Sequence, residues 1–352
     1  MNNKLTRQIK IGGLLIGGGA PISVQSMTKT DTADVVKTVA QINQLKDAGC
    51  DAVRVAVRDE EAAIAVKDIV RQSSLPLIAD IHFDYKLALM VISYGINGLR
   101  INPGNIGDEW KVRELVHACK NKGIPIRIGV NAGSLEKELL VKYGHPTAQA
   151  IVESAQRHIE ILEGMGFQDI KVSLKASNVP LTIEAYSMFA AKYDYPLHIG
   201  ISEAGPMFSG TIKSAVGLGI LLAKGIGDTM RVSLTADPVE EVGVAFEILK
   251  SLGLRKRGVD IVSCPTCGRC QYDLLDLIKV AEPRIRAINK EITVALMGCA
   301  VNGPGEAREA DYGIAGGKGS GMIFKKGKIV KKVLEGDMID TLIKIIEEDN
   351  AL

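Results

Sequence analysis

The sequence predicts an α/β protein: a (β/α)8 TIM barrel over residues 1–254, followed by a smaller α+β domain over residues 255–352. Three observations lead there. Between residues 22 and 235, short β-branched runs alternate with longer amphipathic stretches, the pattern of a parallel sheet wrapped in helices. The runs number eight, and the span is close to the ~250 residues usual for such a barrel. Past Leu254 the alternation stops, a basic stretch Arg255–Arg257 intervenes, and a cysteine-rich segment begins.

The predicted strands are Ile22–Met27, Ala52–Val57, Leu77–His82, Gly98–Asn102, Ile126–Asn131, Ile170–Lys175, Leu197–Glu203 and Met230–Ser233. The helices between and after them are Asp34–Ala48, Glu60–Arg71, Tyr85–Tyr94, Glu109–Lys122, Ala148–Met165, Ile183–Lys192, Thr211–Lys224 and Glu240–Leu252. Gly12–Gly19, ahead of the first strand, reads as a tight hairpin, because no helix and no Lys-Ser/Thr signature follows to make it a phosphate loop. In the second domain a helix is expected at Asp273–Asn289, then a Gly-turned hairpin in GGKGSGMIFKKGKIVKKV and a terminal strand and helix. Lys325, Lys326, Lys328, Lys331 and Lys332 are expected to be solvated protection of a sheet edge.

A chain of 352 residues exceeds what one core usually holds, so two domains are expected. Net charge is only +2, which excludes the strongly basic balance of a nucleic-acid binder; anion binding must come from local placement. MNNKLTRQIKIGG has no apolar signal core, and no run reaches the ~18 apolar residues of a membrane span, so a soluble, cytoplasmic protein is expected. In that compartment the six cysteines are not expected to form disulfides. Cys50 and Cys119 stand alone among apolar neighbours and read as small buried hydrophobes.

Polar residues recur on alternate positions near the C-terminal ends of the strands: Arg54; Asp80 and His82; Arg100 and Asn102; Arg127, Gly129 and Asn131; Ser173 and Lys175; His198, Gly200 and Ser202; Arg231 and Ser233. With period two, these side chains point into the barrel while their neighbours pack beneath the helices. Arg54, Arg100, Arg127, Lys175 and Arg231, set against Asp80 and Glu203, leave a local excess of three positive charges. Burying that excess without a partner is costly, and arginine is the preferred fork for phosphate, so a polyanionic ligand at the catalytic face is expected. Asp80 and His82 alone are a weak metal signal. Glu203, ending the seventh strand, is a candidate general acid.

Cys264-Pro-Thr-Cys267-Gly-Arg-Cys270, with Cys299 later, offers four thiols to one centre. A triplet facing a single later cysteine favours an iron–sulfur cluster over the paired spacing of a structural zinc site, though both stay open on spacing alone.

Several collinear segments, PISVQSMT, ADIHF, RINPGNIG, IRIGVNAGSLE, VSLKAS, LHIGISEAG, SCPTCGR and GCAVNGPGEA, resemble the 4-hydroxy-3-methylbut-2-enyl diphosphate synthases of the bacterial methylerythritol phosphate route to isoprenoids. The resemblance spans nearly the whole chain. Ser202 stands where that family usually has threonine in TEAG, and the hydroxyl survives. The resemblance implies a barrel followed by a sulfite/nitrite-reductase-like α+β iron–sulfur domain. It also implies a [4Fe-4S] cluster held by Cys264, Cys267, Cys299 and Glu306, with Cys270 a bystander; a carboxylate is a harder, more exchangeable ligand than thiolate. The implied reaction converts 2-C-methyl-D-erythritol 2,4-cyclodiphosphate to the hydroxymethylbutenyl diphosphate by two-electron reductive ring opening and dehydration. Arg54, Arg100, Arg127, Asn131 and Lys175 would hold the diphosphate, Arg231 and Ser263 lend donors, and Asp80, His82, Ser202, Ser233 and Asn302 complete the contacts. Glu203 would supply the proton for the departing hydroxyl. The chain has no nicotinamide or flavin fingerprint, so reduced flavodoxin or ferredoxin is the expected donor, and a homodimer sharing each active site between subunits is implied. The alternative from another class is a non-redox sugar-phosphate aldolase with a Lys175 Schiff base and a structural zinc domain; a third is a cluster-bearing regulatory module without catalysis.

Overall fold

The β-branched runs between residues 22 and 235 close into a ring of eight parallel strands in the computed structural model, which describes residues 5–299, 305 and 308–349. In chain order the strands are β1 (Ile9–Ile11), β2 (Leu14–Ile16), β3 (Ser23–Met27), β4 (Ala52–Ala56), β5 (Leu77–Asp80), β6 (Gly98–Ile101), β7 (Ile126–Asn131), β8 (Ile170–Lys175), β9 (His198–Ile199), β10 (Gly205–Pro206), β11 (Thr229–Met230) and β12 (Leu234–Thr235). The ring runs β8-β7-β6-β5-β4-β3-β11-β9, and a parallel bridge from Val172 to Leu197 closes it. The chain divides at Arg255/Lys256 into two units.

Helices follow the strands: α1 (Val35–Asp47), α2 (Glu60–Gln72), α3 (Tyr85–Ser93), a short α4 (Pro103–Ile106), α5 (Glu109–Lys122), α6 (Lys137–Tyr143), α7 (Ala148–Gly164), α8 (Val179–Lys192), α9 (Met207–Ala223) and α10 (Pro238–Ser251). Their starts are set by side-chain caps: Asp34, Asp59, Asp84, Thr147, Asn178 and Asp237 each accept a backbone N–H from the first turn. Three helices begin before the expected residue, α8 at Val179 rather than Ile183, α9 at Met207 rather than Thr211 and α10 at Pro238 rather than Glu240. Proline is accepted in a first turn, where its missing N–H would have been unpaired anyway. The short α4 and α6 carry too few residues to show a period and were not expected.

The seventh and eighth strands are shorter than their sequence runs. After Ile199 the chain turns through Glu203, whose φ of 52° lies in the left-handed region, and Gly205–Pro206 pairs instead with Leu234–Thr235. The opening hairpin is present, with Gly12 at φ 58° in the turn between β1 and β2. Ile9, Ile11 and Ile16 are buried with Ala52 and Ile78, so the hairpin supplies an aliphatic floor to the barrel. The main core lies between strands and helices, where Cys50 and Cys119 are buried and their thiols are pushed up to about 12, as unreactive packing residues should be.

In the second unit the strands are β13 (Asp260–Ser263), β14 (Thr293–Met297), β15 (Tyr312–Gly317), β16 (Ser320–Lys325) and β17 (Lys328–Leu334), in sequence order across one sheet, the first three parallel and the rest an antiparallel meander. Helices α11 (Leu274–Arg286) and α12 (Met338–Glu348) bury Leu274, Ala281, Ile285, Met338 and Leu342 against Val294, Leu296, Ile314 and Ile323 on one face. Ala295, Met297, Ala315 and Phe324 pack on the other, beside Cys264. Lys328, Lys331 and Lys332 lie exposed on the edge strand β17, as expected, whereas Lys325 belongs to β16 and pairs with Asp349 at 2.5 Å, and Lys326 occupies the turn.

Gly313 lets Phe324 cross β15: a Cβ there would sit 2.1 Å from the ring and 2.6 Å from the Ala295 carbonyl. Gly313→Ala is therefore expected to destabilise the 256–352 unit by about 1–3 kcal/mol, the usual cost of overpacking. Thermal unfolding followed by circular dichroism checks this, and an unchanged midpoint would contradict it.

Candidate functional site

Strand alternation brings the expected rim residues into one cavity. Arg54, Asp80, His82, Arg100, Arg127, Asn131, Lys175, Ser202, Glu203, Arg231 and Ser233 all line a space of about 500 Å³ at the C-terminal ends of the barrel strands, together with Ser173 and Glu241. Met27, at the end of β3, has its sulfur 2.9 Å from Arg54 Nη2.

The charges are unevenly paired. Asp80 is nearly buried; burial pushes its carboxyl up, but Arg54, Arg100 and Arg127 outweigh that and hold it below its ordinary value. Arg100 donates to Asp80 Oδ1 at 3.1 Å and to the Gly129 carbonyl at 3.1 Å, and Arg54 Nε lies 3.5 Å from Asp80 Oδ2. His82, 57% exposed at the rim, is 3.1 Å from Arg100 Nη1; partial burial lowers its pKa, opposed by Asp80. Arg231 pairs with Glu241 at 3.3 Å.

Glu241 is the residue that sequence reasoning missed. In the first turn of α10 it reads as an acid complementing the helix dipole, yet it is 2% exposed, accepts from Leu234 N at 3.1 Å and also pairs with Lys29 Nζ at 3.1 Å. Its presence corrects the expected excess of three. Five lining cations (Arg54, Arg100, Arg127, Lys175, Arg231) against Asp80, Glu203 and Glu241 leave two positive charges.

Of the five, Arg127 and Lys175 have no acid partner in a salt bridge. Arg127 is 4% exposed, with Nε and Nη1 donating to nothing, and burial drives its pKa well below the ordinary arginine value. Lys175 is 8% exposed and likewise depressed, by burial first and then by Arg127, Arg54, Arg231 and Arg100. Two inward glycines make room for Arg100 and Lys175: a Cβ on Gly129 would lie 2.6 Å from Arg100 Nε, and one on Gly200 would lie 2.5 Å from Lys175 Nζ. A cavity with convergent, unsatisfied guanidinium donors can bind a compact polyanion.

Glu203 lies exposed on the rim in its left-handed turn, a costly backbone state for a residue other than glycine that marks functional positions. Beside the cavity, Gly104 N donates to His158 Nδ1 at 3.1 Å, and His158 Nε2 meets Glu136 at 3.1 Å, tying the loops after β6 and β7 to α7.

In the second unit the parallel register places Ser263 opposite Leu296, and Cys264 N donates to the Leu296 carbonyl at 3.0 Å. Cys264 and Cys299 therefore leave the C-terminal ends of neighbouring strands. Thr266, between Cys264 and Cys267, takes φ 66°; Cys270 N then bonds the Cys267 carbonyl at 2.9 Å, closing the next turn, and the Cys270 thiol donates to the Tyr272 carbonyl at 3.2 Å. Burial pushes the Tyr272 hydroxyl up, and Cys270, Cys264, Glu335 and Cys299 add to it. The Tyr272 hydroxyl donates to the Met297 carbonyl at 2.8 Å. Soft thiols gathered from strand ends fit a thiolate-ligated iron centre. Among the described residues no three metal-ligating side chains converge on one ion position. Glu306 and Asn302 lie outside the described residues.

The two units correspond to two domains of one family: the GcpE TIM-barrel domain matches residues 6–246 and the GcpE protein C-terminal domain matches residues 260–348. A relative from Geobacter sulfurreducens, named 4-hydroxy-3-methylbut-2-en-1-yl diphosphate synthase (flavodoxin), is 64% identical over 343 residues, 97% of each chain. Relatives of the same name from Clostridium perfringens and Bacillus subtilis are 60% identical (99% of each chain) and 59% identical (97% of this chain, 91% of the relative). Among solved structures, a dihydropteroate synthase from Yersinia pestis superposes with a TM-score of 0.52 at 13% identity, covering 70% of this chain and 98% of that one, which shows the barrel fold alone. Matched in both domains and along its length, the chain belongs to the GcpE family.

Proposed function

We propose that this chain is a cytoplasmic reductase that converts 2-C-methyl-D-erythritol 2,4-cyclodiphosphate to 4-hydroxy-3-methylbut-2-enyl diphosphate by two-electron reductive ring opening with loss of water, drawing electrons from reduced flavodoxin. The observation that carries it is the buried, unpartnered Arg127 fork in a cavity with three further arginines and Lys175. The relatives named above are all diphosphate synthases, and the Lys175 aldolase is not the favoured reading.

Arg127 offers Nε and Nη1 to one phosphate, and Arg54, Arg100, Asn131 and Lys175 close around the diphosphate, with Arg231 and Ser233 at its edge. Asp80 and Glu241 keep Arg54, Arg100 and Arg231 in place without cancelling the site's net charge. Glu203 holds the proton that leaves with the hydroxyl. Cys264, Cys267, Cys299 and Glu306 would hold a [4Fe-4S] cluster, which supplies the electrons when bound, while Ser263 and Asn302 lend donors to the substrate. No described helix is long and apolar enough to cross a membrane. The proposal includes a homodimer with shared active sites. Phe208, Ile212, Val216 and Ile220 support it as an exposed apolar stripe along α9, Phe208 being 82% exposed, of the kind a second copy would cover.

Four outcomes test this reading. Arg127→Met should weaken substrate binding at least about 10- to 150-fold, the worth of one charge-assisted hydrogen bond, while leaving the melting temperature unchanged or raised because an unpaired buried cation is gone. Calorimetry and thermal unfolding read both, and tight binding by the variant would refute the assignment. Glu203→Gln should lower kcat by about 10²-fold or more with affinity nearly intact; unchanged turnover would remove Glu203 from proton transfer. Protein purified without oxygen should be brown and contain iron and sulfide, whereas zinc would contradict the cluster. Sedimentation should give a dimer, and Phe208→Glu with Ile212→Glu should shift it toward monomer; a wild-type monomer with full activity would end the shared-site proposal.

A further inference from the structure

Lys175, like Arg127 and unlike the other three cations of the cavity, has no acid of its own. Arg54 and Arg100 share Asp80, and Arg231 is held by Glu241. Lys175 ends β8 with its side-chain nitrogen packed at Gly200, and the charged or titratable groups facing it are Arg127 from β7, Arg54 from β4, Arg100 from β6, Arg231 beyond β11 and His198 from β9. His198 is wholly buried and held neutral by that burial and then by Lys175, Arg127 and Lys171; Glu203 lines the same cavity but sits exposed at its rim. Guanidinium groups do not surrender a proton in a protein, so in a crowded pocket of like charge the lysine is the group that yields.

We propose that Lys175 is uncharged in the ligand-free protein and takes up one proton as the cyclic diphosphate binds. This deepens the functional reading above and rests on it. The balance is simple: the amine gains a proton from solvent, and no substrate bond is made or broken. Each phosphate of a cyclic diphosphate has a single acidic proton, lost far below neutral pH, so the ligand arrives as a dianion and does not itself titrate. It replaces the acid that Lys175 lacks.

The sign follows from linkage. Below the ligand-free pKa of Lys175 the ammonium already exists and binding takes up nothing. Between that value and the higher one in the complex, binding takes up one proton and affinity falls about tenfold per unit rise in pH. A conventional ion-pairing lysine, charged throughout, would give a flat profile across neutrality.

Isothermal titration calorimetry of the anaerobically purified holoprotein, without reductant and in phosphate-free buffers of different ionisation enthalpy, tests this with 2-C-methyl-D-erythritol 2,4-cyclodiphosphate as the probe. The apparent enthalpy should vary with the buffer's ionisation enthalpy with a slope corresponding to one proton taken up. Lys175→Arg, which carries its charge at every pH, should bind with a slope near zero. A wild-type heat independent of buffer overturns the proposal, and so does the same slope in Lys175→Arg, which would place the proton on His198 or Glu203. If the arginine variant does not fold, the wild-type pH profile of affinity decides between the tenfold slope and the flat one. A wild-type protein that gives no saturable heat fails the functional reading itself and takes this proposal with it.

Discussion

The architecture of the barrel is organised around positive charge that the protein does not itself neutralise. A TIM barrel is ordinarily filled by branched aliphatic side chains. Here the aliphatic filling is confined to the floor, where the β1–β2 hairpin packs Ile9, Ile11 and Ile16 against Ala52 and Ile78. Above that floor the interior is given to guanidinium groups and a lysine, with Gly129 and Gly200 surrendering side chains so that Arg100 and Lys175 fit. Asp80 and Glu241 secure three of the arginines, and Arg127 and Lys175 are left without an acid partner. Such an interior sacrifices stability to hold binding donors in place, the familiar trade at functional sites.

Much of this was legible in the sequence, for physical reasons that differ by element. The ring of strands was readable because parallel strands buried beneath helices are β-branched, and the inward residues because side chains alternate with period two. Arg54, Arg100, Arg127 and Lys175 could thus be assigned to one cavity from spacing alone. The ends of the seventh and eighth strands were not readable, since their departure depends on Glu203 accepting a left-handed conformation and on the two-residue β10–β12 pair. Nor was Glu241, because a helix's first turn attracts acids whether or not the tertiary fold buries them. The glycines carried a signal, an inward Gly in a strand, whose meaning needed the neighbouring cation to be placed.

The second unit follows a related logic at its own strand ends. The parallel pairing of β13 with β14 makes Cys264 and Cys299 leave adjacent strands at the same end, which no linear spacing of cysteines could reveal. Thr266, a β-branched residue at φ 66°, holds a strained turn between Cys264 and Cys267. The choice of Glu306 over Cys270 as the last ligand comes from family resemblance; the Cys270 thiol is engaged with the Tyr272 carbonyl.

A structure of the substrate complex prepared without oxygen tests the central claim most directly. The account expects phosphate oxygens within hydrogen-bond distance of both Arg127 Nε and Arg127 Nη1. A substrate seated elsewhere, with those two donors still facing an empty cavity, would contradict it.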